Sequence, residues 1–196
     1  MIDHQRKFIF IHIPKTGGTS IESALLKFHG IHINLKLHSP LKHIRPTNKR
    51  RLMCGDNLQH ARITDFPVEF QKKYFCFAVV RNPWDLFVSE FEHSQKSKRF
   101  KASFNQFVNR PRMSMHHGKN QVSFLNKNIN FIGRFERLQE DFNKICHKIN
   151  IPEQQLPYAN KTKHKHYTEY YNDETREIIA EKYAKDIEYF GYRFGE

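Results

Sequence analysis

The stretch FIFIHIPKTGGTSIE, Phe8 to Glu22, is an apolar run, a small polar loop and the start of an amphipathic segment. Phe, Ile and β-branched neighbours over 7–13, stopped by Pro14, predict a buried strand. From Thr19 onward, Ile21, Ala24, Leu25 and Phe28 recur at helical spacing, which predicts a helix over 19–29 with Thr19 as its cap. The junction from Lys15 to Ser20 holds a lysine, two glycines and three hydroxyl-bearing residues. Glycines let a backbone come close to a ligand, and a helix N-terminus presents unpaired N–H groups to an anion. The same residues also suit a plain strand-to-helix turn. The order is not the triphosphate loop G-x-x-x-x-G-K-[ST], because Lys15 precedes the glycines.

A second strand of the same kind follows. YFCFAVV, 74–80, is apolar on both faces, as a central parallel strand is. It ends in Arg81-Asn82-Pro83, after which Trp84, Phe87, Val88 and Phe91 mark a helix that carries Ser89. An arginine at a strand tip and a serine on the next helix can share a phosphate. Further reading gives short helices over 67–73 and 103–109, weaker strands over 31–37 and 130–133, and a basic loop over 38–51. It also gives a helix on Leu138, Phe142, Ile145 and Ile149, a loop over 150–166 and a last helix over about 173–190. Strands alternating with helices predict an α/β fold, a central parallel sheet flanked by helices on both faces. No repeat or linker divides the chain, so residues 1–196 read as a single domain.

Charge narrows the partners. The formal net charge is +13, and no Asp or Glu occurs from His93 through Phe135. A basic field attracts anions, whether a small ligand, an acidic polymer or nucleic acid. Cys54, Cys76 and Cys146 are too dispersed for a disulfide framework, and the 13 histidines lack acidic or thiol partners at ligand spacing. No metal is expected. With mean hydropathy −0.75 and no long apolar run, no membrane anchor or secretory signal is expected either, and the chain reads as a soluble cytoplasmic protein.

Taken together, Lys-Thr-Gly-Gly-Thr-Ser after one strand and Arg-Asn-Pro with a serine eight residues past the Arg after another resemble the PAPS-dependent sulfotransferases. The branch most similar is the carbohydrate O-sulfotransferases. PAPS is 3′-phosphoadenosine 5′-phosphosulfate, and PAP is the desulfated product. The resemblance implies a P-loop-like domain in which Lys15, Thr16, Gly17, Gly18, Thr19 and Ser20 grip the 5′-phosphosulfate. It implies that Arg81 and Ser89 grip the 3′-phosphate. The stretch Phe131 to Phe142 and the segment from Tyr170 to Thr175 are similar to later family motifs, and Asn160-Lys161-Thr162 to a late closing loop. One departure is Leu86, where many members carry a further Arg.

The resemblance also places a histidine shortly before the second strand, facing the donor sulfate, and here that is His60. Histidine suits the proton of an attacking hydroxyl, since its pKa lies near working pH. Lys15 is the expected electrostatic catalyst. The acceptor is expected to be a hydroxyl-bearing small molecule or glycan, including anionic ones. Two other classes compete: a basic nucleic-acid-binding protein, and a PAP-binding protein without transfer activity. No recognition motif or basic–aromatic interleaving supports the first of these.

Overall fold

In the computed structural model, residues 1–29, 60–96, 102–110, 119–157 and 165–196 are described. The expected strand over 31–37, the basic loop over 38–51 and the Asn160-Lys161-Thr162 stretch lie outside the described residues. Four strands form one sheet in the order β1 (Ile2–Asp3), β2 (Phe8–Ile11), β3 (Phe75–Val80), β4 (Phe131–Arg134). β2, β3 and β4 are parallel, with Phe10 opposite Phe77 and Val80 opposite Arg134. β1 adds an antiparallel edge that the sequence reading lacks, because two residues carry no periodic signal. The helices are α1 (Gly18–His29), α2 (Val68–Lys73), α3 (Pro83–Lys96), α4 (Phe104–Val108), α5 (Leu138–Lys148), α6 (Asp173–Lys182) and α7 (Ala184–Phe190). This is the α/β, P-loop-like arrangement expected from the sequence.

The apolar runs are continuous because both sheet faces are covered. Alternation in a strand sends successive side chains to opposite faces. Phe8, Phe10, Phe77 and Val79 therefore pack with Ile21 and Leu25 of α1 and with Phe142 and Ile145 of α5. Ile9, Ile11, Cys76, Ala78 and Val80 face the other way, against Ile63, Phe66, Phe124 and Phe190. Phe10 and Phe77 stack at 5.0 Å across the β2–β3 ladder, a cross-strand aromatic pair that holds the register. A third cluster joins Trp84, Phe87 and Phe91 of α3 to Phe104, Phe107 and Ile179. Leu86 belongs to it and is buried, so the position at which the resemblance expects an Arg faces apolar packing here.

Two expectations are corrected. The last helix is broken at Tyr183, whose φ of −110° and ψ of 21° end α6 and begin α7. The break turns Asp186 into the interior, where it accepts the backbone N–H groups of Gln121 and Val122. Thr19 is not the cap of α1. The helix starts at Gly18, and the Gly17 carbonyl accepts the first bonds, from the N–H groups of Ser20 and Ile21. Among the described residues, no helix is long and apolar enough to cross a membrane.

Candidate active site

The carboxyl ends of β2 and β3 are adjacent, because the two strands are hydrogen-bonded neighbours. Ligands of open α/β sheets bind at such ends. Beyond β2 the chain turns sharply at Lys15 (φ 65°) and Gly17 (φ 82°), with Thr16 between them on the ordinary side of φ. Alternating backbone hands of this kind build an anion-binding concavity from N–H groups. The start of α1, twelve residues long, adds its own N–H groups and dipole. Thr16 is fully buried, and its hydroxyl donates to the Ile13 carbonyl at 2.9 Å. That proton is therefore spent on closing the loop. Thr19 is exposed and Ser20 buried.

Gly17 is required by its positive φ and Gly18 by close packing. A Cβ on Gly17 would lie 2.7 Å from Leu138 Cδ2, in addition to the positive φ. A Cβ on Gly18 would fall on the His12 ring, at Cδ2 and Nε2. His12 is itself buried, stacked on Phe10, and its Nδ1 lies 3.0 Å from Glu22 Oε1, off the line of a hydrogen bond. Gly18 and Glu22 are four residues apart on one face of α1, so the imidazole is clamped between helix backbone and carboxylate. Gly18→Ala is expected to destabilise by about 1–3 kcal/mol, as overpacking does. Adding His12→Ala removes the ring that the new methyl meets and should restore part of the melting temperature. A Gly18→Ala protein that melts with the wild type would show that the approach is not tight.

His60 stands immediately before the buried Ala61, half-buried, with Nδ1 3.0 Å from the His12 carbonyl oxygen. A carbonyl only accepts, so Nδ1 carries the proton, and Nε2 is the basic nitrogen of the neutral ring. The His60 and His12 rings meet edge to face at 4.8 Å. The histidine chosen from sequence position is thus brought to the flank of the loop.

Arg-Asn-Pro has a physical reading at the end of β3. Pro83 is the first residue of α3, where a missing N–H costs nothing. Asn82 precedes it, fully buried; its Oδ1 accepts the Trp84 N–H at 3.1 Å and its Nδ2 donates to the Arg193 carbonyl at 2.8 Å. Its own N–H donates to Glu136 Oε1 at 2.6 Å, which ties the late Phe131–Phe142 stretch to this turn. Arg81, at the tip, is buried. Its Nε donates to Asp85 Oδ2 at 2.7 Å, its Nη1 to the Lys15 carbonyl at 3.0 Å, and its guanidinium lies 4.0 Å over the Phe135 ring. The two sequence motifs are therefore hydrogen-bonded to each other. Ser89 lies two turns into α3, buried, and its hydroxyl makes no hydrogen bond among the described residues.

The charges are crowded. Burial is the largest influence on Lys15 and lowers its pKa from 10.5; Glu90 opposes this, while Arg81 and Lys96 lower it further. A half-buried ammonium near two more cations is a site that an anion would relieve. Asp85 offsets part of the charge of Arg81.

The Sulfotransferase family model matches residues 1–193. The chain belongs to the sulfotransferase family. Over 86 residues it is 30% identical to an uncharacterized protein of Archaeoglobus fulgidus, a match covering 41% of this chain and 72% of that protein. Sulfuryl transfer in general is the family's chemistry. Among the described residues of this sulfotransferase, no group of three or more His, Cys, Asp or Glu side chains is placed to hold a metal ion.

Sequence reasoning missed several residues of this centre. Asp85 was within reach of it, since it stands four residues after Arg81, the spacing of a helical ion pair. Phe135 and Glu136 lie in a stretch singled out only by resemblance. Buried Glu90, the carboxylate that favours the charged form of Lys15, follows Ser89 directly, yet nothing in the pattern of α3 marks it.

Proposed function

We propose that this sulfotransferase moves a sulfuryl group from PAPS to a hydroxyl of an acceptor, a carbohydrate in the reading its resemblance favours. The observation that carries this is the Arg81 Nη1 bond to the Lys15 carbonyl, which joins an anion cradle and a buried arginine into one basin. A single phosphate needs only the first. A donor with phosphates at its 5′ and 3′ ends uses both. The residues fit that donor: left-handed Lys15 and Gly17 shape the cradle, and Gly18 lets the start of α1 sit against the His12 ring. Lys15, Thr16, Gly17, Gly18, Thr19 and Ser20 take the 5′ end, and Arg81 and Ser89 take the 3′-phosphate.

In the transfer, the acceptor oxygen bonds to sulfur as the bond from sulfur to the phosphate oxygen breaks. The acceptor proton passes to His60 Nε2, and PAP leaves with the negative charge that Lys15 faces. We take residues 1–196 as one catalytic domain and place it in the cytoplasm. Cys76 and Cys146 are free and buried, and burial pushes both thiols up to about 11, which leaves them poor nucleophiles.

Thermal shift with PAP, ATP and an oligonucleotide tests the reading. Selective stabilisation by PAP is expected, with turnover against a panel of hydroxyl acceptors. A salt-sensitive shift from the oligonucleotide with none from PAP would sink it in favour of nucleic-acid binding. A PAP shift without turnover on any acceptor would leave a nucleotide-binding protein that has no transfer activity.

A further inference from the structure

We propose that Gln121, held in place by Asp186, is the positioning residue that aims Arg81 at the 3′-phosphate of the donor. β3 pairs with β4 as far as Val80 opposite Arg134, so Arg81 lies one residue past the ladder. Its backbone is nevertheless buried and cannot turn to water. A buried N–H or C=O without a partner is costly.

The side-chain amide of Gln121 supplies both partners. Its Oε1 accepts the Arg81 N–H at 2.8 Å, and its Nε2 donates to the Arg81 carbonyl at 2.8 Å. A primary amide carries the same donor and acceptor as a peptide group, so it extends the sheet ladder by one residue. The two bonds also fix which end of the amide is oxygen, since an N–H needs an acceptor and a carbonyl a donor.

Gln121 is fully buried and is itself anchored. Its backbone N–H donates to Asp186 Oδ2 at 2.7 Å, its Nε2 reaches the same oxygen at 3.4 Å, and Val122 N–H donates to Asp186 Oδ1 at 2.9 Å. Asp186 is turned inward by the helix break at Tyr183. The chain of contacts therefore runs from α7 to Gln121 to the main chain of Arg81. Asp85, the Lys15 carbonyl and Phe135 then hold the guanidinium from the other end. An arginine fixed at its main chain and at its head group is preorganised, and little of its freedom remains to be lost on binding.

This rests on the donor reading above, which gives Arg81 its ligand. The test compares PAP with AMP, which lacks the 3′-phosphate, by titration calorimetry. Wild type is expected to prefer PAP. In Gln121→Met, which keeps shape and loses the amide, affinity for PAP is expected to fall about tenfold, as loss of a buried hydrogen-bonded pair implies, while AMP changes by less than about twofold. Asp186→Asn, which leaves the Gln121 side chain intact, should weaken PAP in the same direction by less. A general loss of stability would move both ligands together, so a collapse of the PAP-to-AMP ratio alone supports positioning.

A folded Gln121→Met protein with the wild-type ratio overturns the proposal and leaves the donor reading standing. A wild type indifferent between PAP and AMP overturns the donor reading, and this proposal with it. Should neither variant fold, hydrogen exchange on the ligand-free wild type decides. Protection of the Arg81 N–H equal to that of the β3 interior supports the clamp, and fast exchange there overturns it.

Discussion

Lys15→Ala is expected to lower kcat by about a hundredfold or more, the scale seen when one preorganised group is removed from a site of developing charge. Negative charge grows on the bridging oxygen as the sulfur–oxygen bond breaks. In the proposed transfer the Lys15 ammonium stands at that oxygen, where a cation gains more in the transition state than in the ground state. Lys15 has a left-handed backbone in the loop after β2, and alanine at the same φ carries the same Cβ, so the substitution removes the charge without changing the strain. Affinity for PAP should fall by less than kcat, because Arg81 and the start of α1 remain. An effect wholly in KM with kcat unchanged would make Lys15 a uniform binding residue and sink the catalytic role. The sign of its pKa shift adds a check. Burial lowers the pKa from 10.5, so the free protein loses this ammonium at a lower pH than an ordinary lysine does. Donor binding should weaken with rising pH from below that value, and the Lys15→Ala protein should not show this limb.

The parts of the fold that the sequence revealed are those governed by local pattern. β2 and β3 are runs of apolar residues because both of their faces are covered, and such runs need no tertiary information to be read. The glycines of the loop were legible by composition, and the reason for Gly18 emerged only with the His12 ring beneath it. Sequence pattern marks Arg81 and Lys15 each as an anion ligand. That one donates to the carbonyl of the other, 66 residues away, has no trace in spacing. Gln121 was invisible for the same reason: its bonds to Arg81 cross 40 residues and those to Asp186 cross 65. The break at Tyr183 was also missed. Ile179, Tyr183 and Ile187 keep helical spacing through it, and a pattern of side chains does not register one residue leaving helical φ and ψ.

His60→Ala is expected to lower kcat by about a hundredfold or more, within the range a positioned general base contributes. The geometry makes the role specific to one nitrogen. With Nδ1 donating to the His12 carbonyl, Nε2 is the nitrogen that takes the acceptor proton in the proposed reaction. His60 contacts His12, before the loop, so PAP affinity should stay within about threefold of wild type, the residual coming from lost packing against His12. The acid limb that a histidine base gives to a kcat profile should vanish in the variant. His60→Gln retains a hydrogen-bonding side chain and cannot accept the proton, so it should be as slow as the alanine. Near-normal turnover in both would move the search to another base. A loss of PAP affinity matching the loss of kcat would instead mean that His60 shapes the loop and takes no proton.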